Sequence, residues 1–141
     1  MKQPIYYEIA NSLNVDQIKQ LHSFYQLEWW SKGRKLTDVR KMIENCDVII
    51  AFCDTETEKL LAFCRVISDF VYKAFIFDVI VDENYRDCGL GKALMASVLD
   101  HPKLRHVKHF ELYCLPEMIS FYEKLGFSEL SENLSFLRRE V

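Results

Sequence analysis

Residues 86–93, Arg-Asp-Cys-Gly-Leu-Gly-Lys-Ala, carry the side chains and spacing that suit a pyrophosphate. They follow a β-branched run, Val79-Ile80-Val81, and precede an apolar helical pattern through Leu94 and Val98. A strand, a tight loop and a helix N-terminus are therefore expected in direct succession. The first turn of a helix has unpaired N–H groups and the positive end of the macrodipole, so it attracts anions. Gly89 and Gly91 lack the Cβ atoms that would hold phosphate oxygens off that backbone, and Arg86 adds a permanent positive charge. Two other phosphate loops fail here. A Walker loop ending at Gly91-Lys92 needs glycine at Arg86 and a hydroxyl at Ala93, and a dinucleotide fingerprint starting at Gly89 needs a small residue at Leu94.

What remains is R-x-x-G-x-G, and about thirty residues on stands Phe121-Tyr122-Glu123-Lys124-Leu125-Gly126-Phe127. Pro116 is suited to open the helix before it and Gly126 to end that helix in the left-handed conformation. Together the two motifs resemble the acetyl-CoA-binding loop and the F-Y-E-K-L-G-F signature of the GNAT superfamily of N-acetyltransferases. That resemblance implies transfer of an acetyl group from acetyl-CoA, the co-substrate, to a primary amine by direct attack on the thioester. It implies that Arg86, Cys88, Gly89, Leu90, Gly91, Lys92 and Ala93 anchor the cofactor, mostly through main-chain N–H groups. The strand edge at Val79, Ile80 and Val81 would bind the pantetheine arm, and an N–H there would support the thioester oxygen. Tyr122 matches the family tyrosine that protonates the departing thiolate; a phenol with pKa near 10 is protonated at neutral pH. One departure is Leu115, where family members often carry Asn seven residues before the tyrosine.

On the acceptor side, Asp78 interrupts the otherwise apolar Phe75–Val81. A carboxylate buried there costs several kcal/mol unless paired or hydrated. Two readings stay open: a general base or ammonium anchor facing the substrate cleft, or a structural partner of Arg65. Glu28 and Glu117 are further acidic candidates. Tyr25, Trp29 and Trp30 lie between the first two helices, the segment that covers the acceptor site in this family. With Glu28 they suit an amine that has some apolar body. His106 and His109 are three apart on an expected strand and point to opposite faces, so no metal is expected.

These groups need a frame of alternating strands and helices. The chain of 141 residues, half of them hydrophobic, is long enough for one domain over residues 1–141. Strands are expected at Ile5–Ala10, Val48–Cys53, Leu60–Ile67, Tyr72–Val81, His106–Cys114, Phe127–Leu130 and Leu134–Arg139. Helices are expected after the Asn14/Gln17 capping pair, after a Thr37 cap, after Gly89, and over Pro116–Leu125. This β-α-α-β-β-β-α-β-α-β-β order is an α/β fold of the GNAT type, a mixed central sheet with helices on both faces. The balance of 18 basic against 21 acidic side chains, net −3, argues against nucleic acid or an anionic membrane as partner. Five cysteines without a C-x-x-C pair, and no signal-peptide h-region, fit a soluble cytoplasmic protein in a reduced compartment. A small-molecule or peptide amine is the expected partner, and a homodimer is left open. The alternative function is a non-catalytic acyl-CoA-binding sensor on the same fold.

Overall fold

The computed structural model describes residues 4–130 and 132–141. Five strands, β1 (Tyr7–Ala10), β2 (Val48–Asp54), β3 (Leu60–Ser68), β4 (Lys73–Val81) and β5 (His109–Glu111), form one sheet in that spatial order. The pairs up to β4 are antiparallel, with β1 and β2 joined through two helices and the others by hairpins, whereas β4 and β5 run parallel. A parallel pair needs a crossover, and α3 (Leu90–Leu99) supplies it.

Alternation along β2 sends Val48, Ile50 and Phe52 to one face and Ile49, Ala51 and Cys53 to the other. The first face packs on Leu90, Leu94, Met95 and Val98 of α3 and on Tyr122 of α4 (Ile119–Glu123). Each fully buried side chain there contributes roughly 1.5–3 kcal/mol of hydrophobic stabilisation. The second face packs on Leu21 and Tyr25 of α1 (Val15–Leu27) and Val39 of α2 (Leu36–Glu44). Helices thus cover both faces, as the sequence predicts.

The side-chain parity of β4 switches at Asp78. Ala74 and Ile76 face α3, and so do Val79 and Val81, while Ile80 faces α1 and α2. The cause is a bulge: Phe63 pairs with Ile80 and Arg65 with Phe77, so Asp78 and Val79 share one position opposite Cys64. Asp78 takes φ +56, a left-handed conformation that Asp tolerates better than most residues. Without the bulge, an even-numbered Asp78 would point into the apolar α3 core. With it, the carboxylate turns to the α1 side.

Several boundaries differ from expectation. The capping box at Asn14 and Gln17 forms, with Gln17 N donating to Asn14 Oδ1 at 2.8 Å and Asn14 N to Gln17 Oε1 at 3.0 Å. Thr37 caps nothing; α2 starts one residue before it, after Lys35, because Val39 N already reaches the Lys35 carbonyl at 3.0 Å. The expected His106–Cys114 strand shrinks to three residues, and the expected Pro116–Leu125 helix becomes a 3₁₀ turn at Pro116–Met118 followed by the short α4. Among the described residues no strand follows α4, so the two closing strands at 127–130 and 134–139 are not formed. Alternation alone cannot make a strand without an edge to pair with, and β5 offers only three residues. Leu134, Phe136 and Leu137 remain 64%, 65% and 86% exposed, and Phe136 rests on Tyr113 with ring centroids 4.9 Å apart.

Candidate active site

The glycine loop has the conformation its composition predicts. Asp82 caps a 3₁₀ turn at Glu83–Tyr85 by accepting from Asn84 N at 2.9 Å, and the chain then reaches Gly89 at φ +82. Gly89 is the N-cap of α3 and, having no side chain, makes no capping bond. The first intrahelical bond runs from Ala93 N to the Gly89 carbonyl at 3.1 Å. The N–H groups of Leu90, Gly91 and Lys92 therefore precede the helical ladder and are available to an anion. A Cβ added at Gly89 would enter open space, and one at Gly91 would touch the Phe121 ring at 3.5 Å. Beside the loop lies a cavity of about 270 Å³, lined by Cys88, Gly89, Leu90 and Ala93 with Ile5 and Tyr7. An open cradle over unpaired amides fits the diphosphate of a CoA thioester.

The strand feeding this loop is half unpaired. Lys73, Ala74 and Phe75 pair with His109, Phe110 and Glu111, and beyond Phe75 the two strands part. The outward-facing backbone of Ile76–Val81 thus has no β5 partner; the Val81 carbonyl accepts from Arg86 Nε at 3.2 Å, and main-chain groups near Val79 stay open to an extended arm. A second cavity of about 560 Å³ opens along β5, lined by Phe75, Phe110, Leu112, Cys114 and Tyr122, with Phe127 and the C-terminal segment closing it. Tyr122 is 7% exposed, with edge-on contacts to the Phe121 and Phe127 rings. Its hydroxyl makes no hydrogen bond among the described residues. Burial, then the nearby Cys114 and Cys64, push its pKa up to about 12. The phenol keeps its proton through the neutral range and can donate it.

On the other side of the bulge, Asp78 Oδ2 accepts from Arg65 Nε at 2.7 Å, Tyr25 Oη at 2.8 Å and Arg34 Nη1 at 3.0 Å. The pairing with Arg65 that the sequence left open is present, joined by two partners that it did not suggest. The Asp78 side chain is 6% exposed. Burial disfavours the Arg65 charge, but the bond to Asp78 and its charge more than offset this and raise the guanidinium's pKa. Tyr25, a candidate substrate contact, is fully buried; burial and the adjacent carboxylate hold its phenol protonated well above the usual range.

Arg34 is the member of this cluster that the sequence did not suggest. The chain between α1 and α2 is folded back by Ser31 Oγ donating to the Tyr25 carbonyl (2.9 Å), Gly33 N to Gln26 Oε1 (3.1 Å) and Gln26 Nε2 to the Arg34 carbonyl (3.0 Å). Gly33 supplies the positive φ of +96 that this reversal needs. The guanidinium then lies 4.5 Å from the Tyr25 ring centroid and 5.5 Å from that of Trp30. The only signal in the sequence was the helix-breaking run Trp29-Trp30-Ser31-Lys32-Gly33 before it. Trp30 is 38% and Trp29 73% exposed, so both are open to a ligand. Glu28 bonds Arg86 Nη2 at 3.2 Å, linking the acceptor segment to the glycine loop, and Glu117 lies exposed on the 3₁₀ turn.

A mixed sheet whose β4 and β5 part beside a glycine-capped crossover helix is the arrangement that the resemblance to N-acetyltransferases implies. The profile of the Acetyltransferase (GNAT) family matches residues 12–127, and the chain belongs to that family. It is 30% identical to GCN5-related N-acetyltransferase 1, chloroplastic, of Arabidopsis thaliana over 84% of this chain, yet spans only 58% of that protein's length. It is 29% identical to the uncharacterized N-acetyltransferase ycf52 of Pyropia yezoensis, over 87% of this chain and 70% of that one. A crystal structure of a GNAT-family member from Xanthomonas campestris pv. campestris superposes with a TM-score of 0.80 at 27% identity, covering 96% of this chain and 94% of the other.

Proposed function

We propose that this chain transfers an acetyl group from acetyl-CoA to a primary amine of a small molecule or of an exposed peptide or protein. The observation that carries this reading is a coincidence in space. The free first-turn amides of α3 and the β4 edge without a β5 partner belong to the same packed cluster as the protonated Tyr122, with Gly91 against its neighbour Phe121. When bound, acetyl-CoA supplies an activated thioester carbonyl. The amides of Leu90, Gly91 and Lys92 hold its diphosphate, and the free edge near Val79 aligns its arm. Tyr122 Oη gives its proton to the sulfur as the C–S bond breaks, and solvent reprotonates the phenol. A main-chain N–H at Val79 or Ile80 takes the negative charge that develops on the carbonyl oxygen.

In this reading Asp78 organises the cluster, because its Oδ2 already accepts from Tyr25, Arg34 and Arg65. We assign it to positioning Arg34 and Arg65, and assign ammonium binding and deprotonation to Glu28 with water. Glu28 ends α1 beside the exposed tryptophans and is 25% exposed. The whole of residues 1–141 acts as one domain in this reading, and five free cysteines suit a reducing compartment. The test is thiol release from acetyl-CoA across a panel of amines. Amine-dependent release is expected; acetyl-CoA binding with no release across the panel would instead make the chain an acyl-CoA sensor.

A further inference from the structure

We propose that Arg34 binds a carboxylate or phosphate group carried by the acceptor itself, so that the favoured substrate is an amine bearing an oxyanion a few atoms from its nitrogen. This rests on the acetyl-transfer reading above and narrows its acceptor. The first support is charge. Two guanidinium groups meet one carboxylate at Asp78, and burial keeps the adjoining Tyr25 phenol and Cys46 thiol neutral, so the cluster holds one surplus positive charge.

The second support is access. Arg65 is 13% exposed and lies on the Phe77 ring, whereas Arg34 is 31% exposed. Arg34 uses Nη1 toward Asp78, and its other N–H groups have no protein acceptor among the described residues. A guanidinium presents five donors in a planar fork that matches an oxyanion, and stacking on Tyr25 and Trp30 leaves that fork free at its edge. The third support is position. Asp78 immediately precedes Val79, where the free edge of β4 would hold the thioester, and successive Cα atoms are only ~3.8 Å apart. An anion on Arg34 would therefore hold a nearby amine close to the reacting carbonyl, with the exposed Trp30 beside it.

Matched pairs test this: phosphoethanolamine against ethanolamine, and phenylalanine against its amide. Wild type should favour the anionic member of at least one pair by ~10-fold or more in kcat/KM, the effect of one charge-assisted hydrogen bond. Arg34→Gln should erase that preference, and Arg34→Lys should keep part of it. Equal rates within both pairs, or an equal loss for both members in Arg34→Gln, would overturn the proposal. Tryptophan fluorescence gives a readout that needs no turnover. Phenylacetate or methyl phosphate should change it saturably in wild type and not in Arg34→Gln, while 2-phenylethanol should change it in neither. The responding anion identifies carboxylate or phosphate, and no response to either overturns the proposal. A chain that binds acetyl-CoA without turnover refutes the acetyl-transfer reading, yet this titration still decides the anion site.

Discussion

The two sides of the β4 bulge work by different means. From Val79 to Lys92 the candidate site is mostly main chain: free amides at the start of α3, a strand edge without a β5 partner and a glycine cap. Up to Asp78 it consists of side chains, with Tyr25, Arg34 and Arg65 brought from three elements onto one carboxylate oxygen. Backbone sites tolerate side-chain change except where a Cβ intrudes. Side-chain clusters fail as a unit when one member is removed. The cofactor side should therefore respond to added bulk, and the acceptor side to lost charge.

The largest expected effect is on the acceptor side. Asp78→Asn preserves the left-handed backbone, which Asn also tolerates, and removes only the charge. Two guanidinium groups would lose their counter-ion, at a cost of about 3 kcal/mol or more in folding stability by denaturant unfolding. A variant as stable as wild type that instead loses the ascending limb of its pH–rate profile would return Asp78 to a general-base role. On the cofactor side, Gly91→Val should fold, since an added Cβ makes only an ordinary contact with the Phe121 ring, but its bulk beside the first-turn amides should raise the Kd for acetyl-CoA by ~100-fold or more. Gly89→Val would add backbone strain at φ +82, so Gly91 gives the cleaner comparison.

This asymmetry explains what could be read from the sequence. The loop and the Tyr122 signature are contiguous strings whose chemistry depends on local conformation, so residue order nearly determines them. The Asp78 cluster spans 53 residues from Tyr25 and 44 from Arg34, so it exists only once α1, the folded-back loop and the bulge are in place. Arg65 was legible because it stands on the adjacent strand. The missing closing strands fail for a related reason: their alternation was visible, but the short β5 edge was not.

Smaller effects sharpen the division. Tyr122→Phe should lower turnover by ~10²-fold while leaving acetyl-CoA affinity nearly unchanged, as expected for a lost general acid. With a pKa near 12 in the fold against 10 unfolded, the unfolded chain loses this proton first. Stability should then decline as pH rises from 10 to 12, and Tyr122→Phe should flatten that decline. Glu28→Gln should have the mildest effect on the cofactor. Freeing Arg86 from its ion pair should tighten acetyl-CoA binding by a factor of ~2–5, the scale of an exposed pair, while raising the acceptor KM. Weaker acetyl-CoA binding in this variant would mean that the pair holds the loop in shape.

The most direct measurement is the amide spectrum of the isotopically labelled chain during titration with acetyl-CoA. Binding through main chain predicts that the largest shifts fall on Leu90, Gly91 and Lys92 and along Val79–Val81, with Tyr25, Arg34 and Arg65 little changed. Shifts concentrated on the Arg34–Asp78 side, with the α3 amides unmoved, would contradict the division of the site at the bulge.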